Sequence, residues 1–224
     1  MAVNYKAPIN DIIFAYDVLD SYNILNKIEK FKDFGLDTLE PIVEECAKFA
    51  EEVLAPINSI GDKNGAIFDE GTVKMPPGFK EAYEKFTKAG WSSISLPSDI
   101  GGGGLPYGLS AAILEILCTA NMAFVLGPGL SIGAISGINF HANQGQKDMY
   151  LPDLVAGNWT GTMNLSEPQS GSDLSNISTK ATKQDDGTFR ITGTKIWIGS
   201  GEHDLSENII HLVLAKVPGS PEGT

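Results

Sequence analysis

Positive charge is scarce in this sequence: 16 Lys and Arg stand against 28 Asp and Glu, for a formal charge of −12. A field of that sign repels a phosphate-rich polymer, and no basic stripe offsets it locally, which excludes nucleic acid as an expected partner. A small anionic ligand can still bind, because it samples local dipoles and a few cations rather than the whole field. Cysteine is nearly absent. Cys46 and Cys118 are the two present. Neither has the His or CxxC neighbour of a reactive thiol, so both read as buried groups in apolar helices with no disulfide required. The first ten residues lack a basic start followed by an apolar run, and no stretch reads as the roughly 18 apolar residues of a membrane span. The expected setting is the cytoplasm, without membrane insertion.

Metal-ligating residues are also few. Glu202-His203-Asp204 is a dense group, but three consecutive residues do not converge easily on one ion and no second cluster supplies ligands. It reads as a solvated turn, and no metal is expected. His141 and His211 read as packing or surface groups. The run Gly101–Gly104 is followed by no Lys-Ser/Thr and opens no GxGxxG helix, so it reads as a structural turn rather than a phosphate loop.

What is present suits a packed fold. Apolar residues make up 42% and charged residues 20% of 224 positions, enough for one large or two small domains. The first two-thirds read as helices. Apolar positions recur at helical spacing over Asp11–Leu25, and again from Leu39 through Ile42, Val43, Cys46, Phe49, Val53 and Leu54 before Pro56. Asp37 with Glu40 resembles a capping box at the start of that second stripe. Ser59–Pro77 reads as a surface loop, and Pro77–Ala89 as a short helix stopped by Gly90. Leu109–Phe124 is apolar nearly all round and belongs inside a bundle. Leu130–Asn143 carries Gly133, Ala134, Ser136 and Gly137, which permit close approach. After about Asn158 the pattern becomes β: Trp159–Leu165, Ile177–Gln184, Thr188–Thr192, Lys195–Ile198 and Ile209–Val217, with turn residues at Asp185-Asp186-Gly187 and Gly193-Thr194. The expected fold class is α+β, an all-α bundle followed by an antiparallel β domain. The turn-like Pro218–Thr224 follows a strand without obvious partners, so further chain is expected beyond it.

Two segments carry the chemistry. Met163–Asp173 leaves a strand for a loop of small residues and hydroxyls that can present donors to a planar cofactor, since Gly171 adds no bulk. An ordinary Ser or Asx turn fits the same residues. Thr194–Gly201 repeats the theme: an aromatic strand running into glycine. Trp197 there is either a core residue of the sheet or a wall against an aromatic ring.

Together, in this order and spacing, the two segments resemble the flavin-binding signatures of the acyl-CoA dehydrogenases. In that family a Thr/Ser-Glu-Pro step leads into Gly-Ser-Asp, and a later Lys-x-Trp-Ile step leads into a Gly or Asn turn. The Leu96-Pro97…Leu105-Pro106 run and the Thr192–Lys195 hairpin agree. The resemblance runs from about Asp37 to the end. It implies a division into a helical extension (1–36), a helical domain (37–157) and an incomplete β domain (158–224), with a carboxy-terminal helical domain absent. The long extension is similar to the subgroup that handles unusual acyl groups such as methylthio-propanoyl-CoA.

The resemblance further implies that Met163, Leu165, Ser166, Gly171 and Ser172 line FAD, with Ser166 donating to the ring edge and Ser172 also touching the acyl-CoA thioester. Trp197, Ile198 and Gly199 would form the second wall. The family often has Thr where this chain has Gly199, so one hydroxyl is missing and Ser200 is its candidate replacement. The implied activity is α,β-dehydrogenation of an acyl-CoA in fatty acid metabolism, with an electron-transfer flavoprotein as acceptor and a homodimer or homotetramer as the assembly. The family's glutamate base falls beyond Thr224. Glu167 is therefore expected to fix its turn, no catalytic residue is assigned, and the 224 residues alone are expected to be inactive. An acyl-CoA oxidase or a non-catalytic flavin-binding relative is the alternative.

Overall fold

The computed structural model describes residues 5–219, so most of the turn expected at Pro218–Thr224 lies outside the described residues. Helices α1 (Ile9–Val18) and α2 (Ser21–Leu25) lead to α3 (Leu36–Phe49), a π-turn over Ala50–Leu54, and α4 (Ala55–Asn64). Leu39, Val43, Cys46, Phe49 and Leu54 are buried on one side of this rod, as their spacing predicts. Its ends differ from expectation. α3 is entered from an extended Gly35 with no side-chain cap, so Asp37 and Glu40 form no capping box. Pro56 does not end the rod, because it sits in the first turn of α4, where a missing N–H costs nothing.

The loop expected over Ser59–Pro77 is instead the rest of α4 followed by an antiparallel hairpin, β1 (Ile67–Asp69) and β2 (Thr72–Lys74). Glu70 and Gly71 both adopt positive φ, as a two-residue hairpin turn requires, and Glu in the first place hides the usual Asn-Gly signal. α5 (Phe79–Lys88) buries Phe79, Tyr83 and Phe86, and Gly90 takes φ +75° after it.

The two helices expected over Leu109–Phe124 and Leu130–Asn143 are the two halves of α6 (Tyr107–His141), which meet at a kink at Asn121 rather than through a loop. At the kink Asn121 leaves helical geometry, accepts from Phe124 N at 3.0 Å and donates from Nδ2 to Leu54 O at 3.2 Å. One buried amide thus caps the second half of α6 and satisfies a carbonyl of the π-turn. By length and composition alone α6 is apolar enough to cross a membrane, where no such segment was expected, and half of its most apolar stretch is buried inside the protein. α6 is also not enclosed all round: Leu114, Leu126 and Phe140 are exposed, and its outer side borders an apolar groove of about 400 Å³. α7 (Gln144–Ala156) follows, opened by a capping box between Asn143 and Gln146.

The β part begins with β3 (Trp159–Asn164), which pairs parallel with β6 (Asn208–Val213), while β4 (Lys180–Lys183) and β5 (Phe189–Thr192) form an antiparallel hairpin. The antiparallel expectation therefore holds for one pair and not the other. Lys195–Ile198 is not a strand, and Gly193 makes no hairpin turn: a Cβ there would lie 2.2 Å from Thr179 Oγ1, so glycine is required by close approach. The main core gathers Ile12 and Phe34 with α3, α5 and the first half of α6. A second cluster joins Ile135 and Ile138 to Leu151 and Leu154.

The small residues of α6 explain how the β part docks. A Cβ at Gly161 of β3 would lie 2.4 Å from the Cβ of Ala134, and one at Gly137 would lie 3.1 Å from Leu212 of β6. Gly161→Ala is expected to cost about 1–3 kcal/mol through overpacking and to lower Tm by several degrees in a thermal melt.

Candidate functional site

The turn after β3 is built around one carboxylate. Glu167 N donates to Ser170 O at 2.7 Å and Ser170 N donates back to Glu167 O at 3.0 Å, closing the turn over Pro168-Gln169. The Glu167 side chain then points inward, 1% exposed. Its Oε2 accepts from Gln169 Nε2 (2.6 Å), Ser178 N (2.7 Å) and Ser178 Oγ (2.8 Å). Its Oε1 accepts from Thr179 N (3.0 Å) and Lys195 Nζ (2.9 Å). Burial raises the Glu167 carboxyl, but the bonds from Thr179, Ser178 and Lys195 outweigh it and hold the group far below the usual carboxylate range.

Lys195 carries this order into the second segment. Its side chain is 9% exposed, and Nζ also donates to Leu165 O at 2.8 Å. Beside it Ile196 N donates to Ser166 O at 3.0 Å. The two segments named from the sequence, about thirty residues apart, are therefore clipped edge to edge by an ion pair and two bonds to consecutive carbonyls. Both then rest on one face of α6. A Cβ at Gly127 would lie 3.0 Å from Ser200 Oγ, Gly199 approaches Leu130, and a Cβ at Gly133 would lie 3.3 Å from Met163 Sδ. Positions 127, 130 and 133 recur every three residues, the period of one helix face.

Among the candidate residues, Leu165, Ser166 and Ile198 are half-buried, while Met163, Gly171, Ser172, Trp197 and Gly199 are exposed. Trp197 is not a sheet core residue. It stands 89% exposed, with φ at +58°. Ser166 contributes only its backbone to the clip, which leaves its hydroxyl outside it. Ser200, the candidate to replace the missing hydroxyl at Gly199, turns its Oγ onto Gly127. The loop ends where Asp173 accepts from Ser175 N (3.0 Å), Ser175 Oγ (2.6 Å) and Asn176 Nδ2 (2.7 Å), fixing a short 3-10 turn.

Three features escaped the sequence reading. Lys195 stands in the sequence only as part of a motif, although it is the single cation of Thr194–Gly201 and Met163–Asp173 offers the carboxylates Glu167 and Asp173 as partners. His203 is buried rather than solvated, facing Thr160 Oγ1 at 3.1 Å. His211 Nδ1 faces Thr162 Oγ1 at 2.7 Å. The alternation of Thr160 and Thr162 on β3 is the pattern that anticipates both. Cys46 is buried and free, its thiol pushed up to about 12 by burial, as expected of a packing group.

Glu167→Gln leaves Lys195 buried without its counter-charge and is expected to lose about 3–5 kcal/mol in urea denaturation at neutral pH. Glu167→Gln with Lys195→Met is expected to recover part of that loss. Because the folded carboxyl is depressed, its contribution is present above the unfolded value of about 4.3 and fades as pH falls below it. The gap between wild type and Glu167→Gln should therefore narrow only in strong acid.

The family model "Acyl-CoA dehydrogenase, N-terminal domain" matches residues 37–158, and "Acyl-CoA dehydrogenase, middle domain" matches residues 162–223. The 3-methylmercaptopropionyl-CoA dehydrogenase of Ruegeria pomeroyi is 46% identical over 221 residues, covering 99% of this chain and 38% of that protein. A butyryl-CoA dehydrogenase of Syntrophomonas wolfei is 35% identical over 226 residues, covering 99% and 37%. Thus the chain spans under two-fifths of the length of these relatives. Among solved structures, an acyl-CoA dehydrogenase complexed with FAD from Bacillus anthracis superposes with a TM-score of 0.66 at 26% identity, over 84% of this chain and 30% of that one. Butyryl-CoA dehydrogenase from Megasphaera elsdenii gives 0.66 at 26% identity, over 82% and 45%. Matched in both its helical and its β part, the chain belongs to the acyl-CoA dehydrogenase family.

Proposed function

We propose that this chain supplies one wall of the FAD site, and the contact of Ser172 with the thioester, in an enzyme that α,β-dehydrogenates an acyl-CoA. Trp197 is the observation that carries the reading. A bulky residue at positive φ costs about 1–3 kcal/mol, and here the distortion turns an indole outward, 89% exposed. Spending stability to expose an aromatic ring makes sense where a flat ring system covers it. The clip ties the carbonyls of Leu165 and Ser166 to Lys195 and Ile196, the two residues before Trp197, and a Cβ at Gly171 would meet only open space. Met163, Leu165, Ser166, Gly171, Ser172, Trp197, Ile198 and Gly199 are the residues we assign to the cofactor.

Bound flavin supplies a two-electron acceptor for the hydride that leaves the β-carbon. The α-proton needs a base, and Glu167 does not qualify: its carboxylate is buried, saturated with donors and held far below the usual range, so it has little tendency to take a proton. We place the base outside these 224 residues. The match to the Ruegeria pomeroyi protein favours a short or sulfur-containing acyl group as substrate. A separate electron-transferring flavoprotein is the acceptor we infer; hydrogen peroxide formed during turnover would instead mark an oxidase.

Titrating the chain with FAD while following flavin fluorescence tests the wall. Weak, saturable quenching is expected, weakened roughly tenfold, or about 1.4 kcal/mol, by Trp197→Ala. An affinity unchanged by Trp197→Ala contradicts the assignment, and bleaching of chain-bound flavin by an acyl-CoA would place the base within these residues.

A further inference from the structure

His203 has 5% of its surface exposed and lies on the loop that follows the second segment. Its Nδ1 accepts from Leu205 N at 3.2 Å, and its Nε2 faces Thr160 Oγ1 at 3.1 Å. A nitrogen that accepts a backbone N–H carries no proton, so the ring is the neutral Nε2–H tautomer donating to Thr160. Thr160 Oγ1 is in turn 3.1 Å from Ser206 Oγ.

This loop bolts the β part to the helices. Leu205 is buried in the main helical core, and Asp204 Oδ1 accepts from Met75 N at 2.9 Å across 129 residues of sequence. Glu207 N donates to Asn158 O at 3.1 Å. Three residues before His203, Ser200 packs on Gly127 of α6.

We propose that His203 is an acid-released latch: a proton on Nδ1 sets N–H against the Leu205 N–H, breaks that bond, and frees the 202–206 loop and the Trp197–Gly201 segment from the helical core. The surroundings favour the neutral ring. β3 offers it the uncharged Thr160 and the following turn the uncharged Ser206. The charges that act on it are Glu202 and Asp204, both on its own loop. Burial pushes the imidazole below its ordinary value, while those two carboxylates oppose the shift without reversing it. With the folded value depressed, the latch contributes fully above the unfolded value of about 6.5 and loses its contribution as pH falls below that point. Glu167 acts in a separate, more acidic window. The latch requires no ligand and stands apart from the flavin assignment.

Hydrogen exchange on the ligand-free chain tests it, comparing the Leu205 amide at about pH 7.5 and about pH 5.5 after correction for intrinsic exchange. Wild type is expected to lose roughly tenfold in protection at Leu205, with Ile116 in α6 unchanged. His203→Gln keeps a polar group that does not titrate at this place, and its protection should not change with pH. Equal protection at both pH values in wild type, or the same loss in His203→Gln, overturns the proposal. Should His203→Gln not fold, the pH profile of wild type decides: Leu205 protection must begin to fall near the unfolded imidazole value of about 6.5, and a loss that begins only near a carboxylate value of about 4 overturns the latch.

Discussion

The contact between Glu167 and Lys195 joins everything that makes the surface around Trp197 specific. A carboxylate and an ammonium taken out of water each carry a desolvation cost of several kcal/mol, and the chain offsets it by surrounding Glu167 with the side-chain amide of Gln169, the backbone N–H and hydroxyl of Ser178 and the backbone N–H of Thr179. That arrangement fixes three pieces of chain that share no regular sheet: the turn after β3, the approach to β4, and the stretch that carries Trp197. The pair contributes geometry more than stability, since an apolar pair of similar size would serve the fold as well. Its bonds to Leu165 and beside Ser166 align the strand end with the second segment, and no apolar pair would do that.

α6 is the spine against which this clip is held. Its inner face is small at Gly127, Gly133 and Gly137, where Ser200, Met163 and Leu212 press on it, and Leu130 between them meets Gly199. Its opposite face is apolar and borders the groove that includes Val125, Ile132 and Trp91. Asn121 kinks the helix between its two halves, which lets the first half serve the core of α3 and α5 while the second half serves the β part.

Much of this was legible from residue order. The stripe from Leu39 to Leu54 and the aromatic face of α5 show because packing alone dictates their period. The two candidate segments show because Ser-Glu-Pro, Gly-Ser-Asp and Lys-x-Trp-Ile stand together in that order. What stayed hidden depends on contacts between distant residues. Pro56 looks like a helix stop until its place in a first turn is known. Trp197 looks like a strand residue until its backbone is seen at positive φ. Gly193 looks like a turn until Thr179 is found against it. His203 looks solvated because its partner, Thr160, lies 43 positions earlier. The parallel pairing of β3 with β6 is equally invisible locally, since it spans the whole hairpin between them.

The central claim is that the buried pair positions the second segment, and the Ile196 amide reports on this directly because its bond to Ser166 O lies beside Lys195. Hydrogen exchange at Ile196 in Lys195→Met, under conditions where the helical core stays protected, is predicted to rise toward the unprotected rate. Retained protection at Ile196 with the ion pair gone would contradict the account.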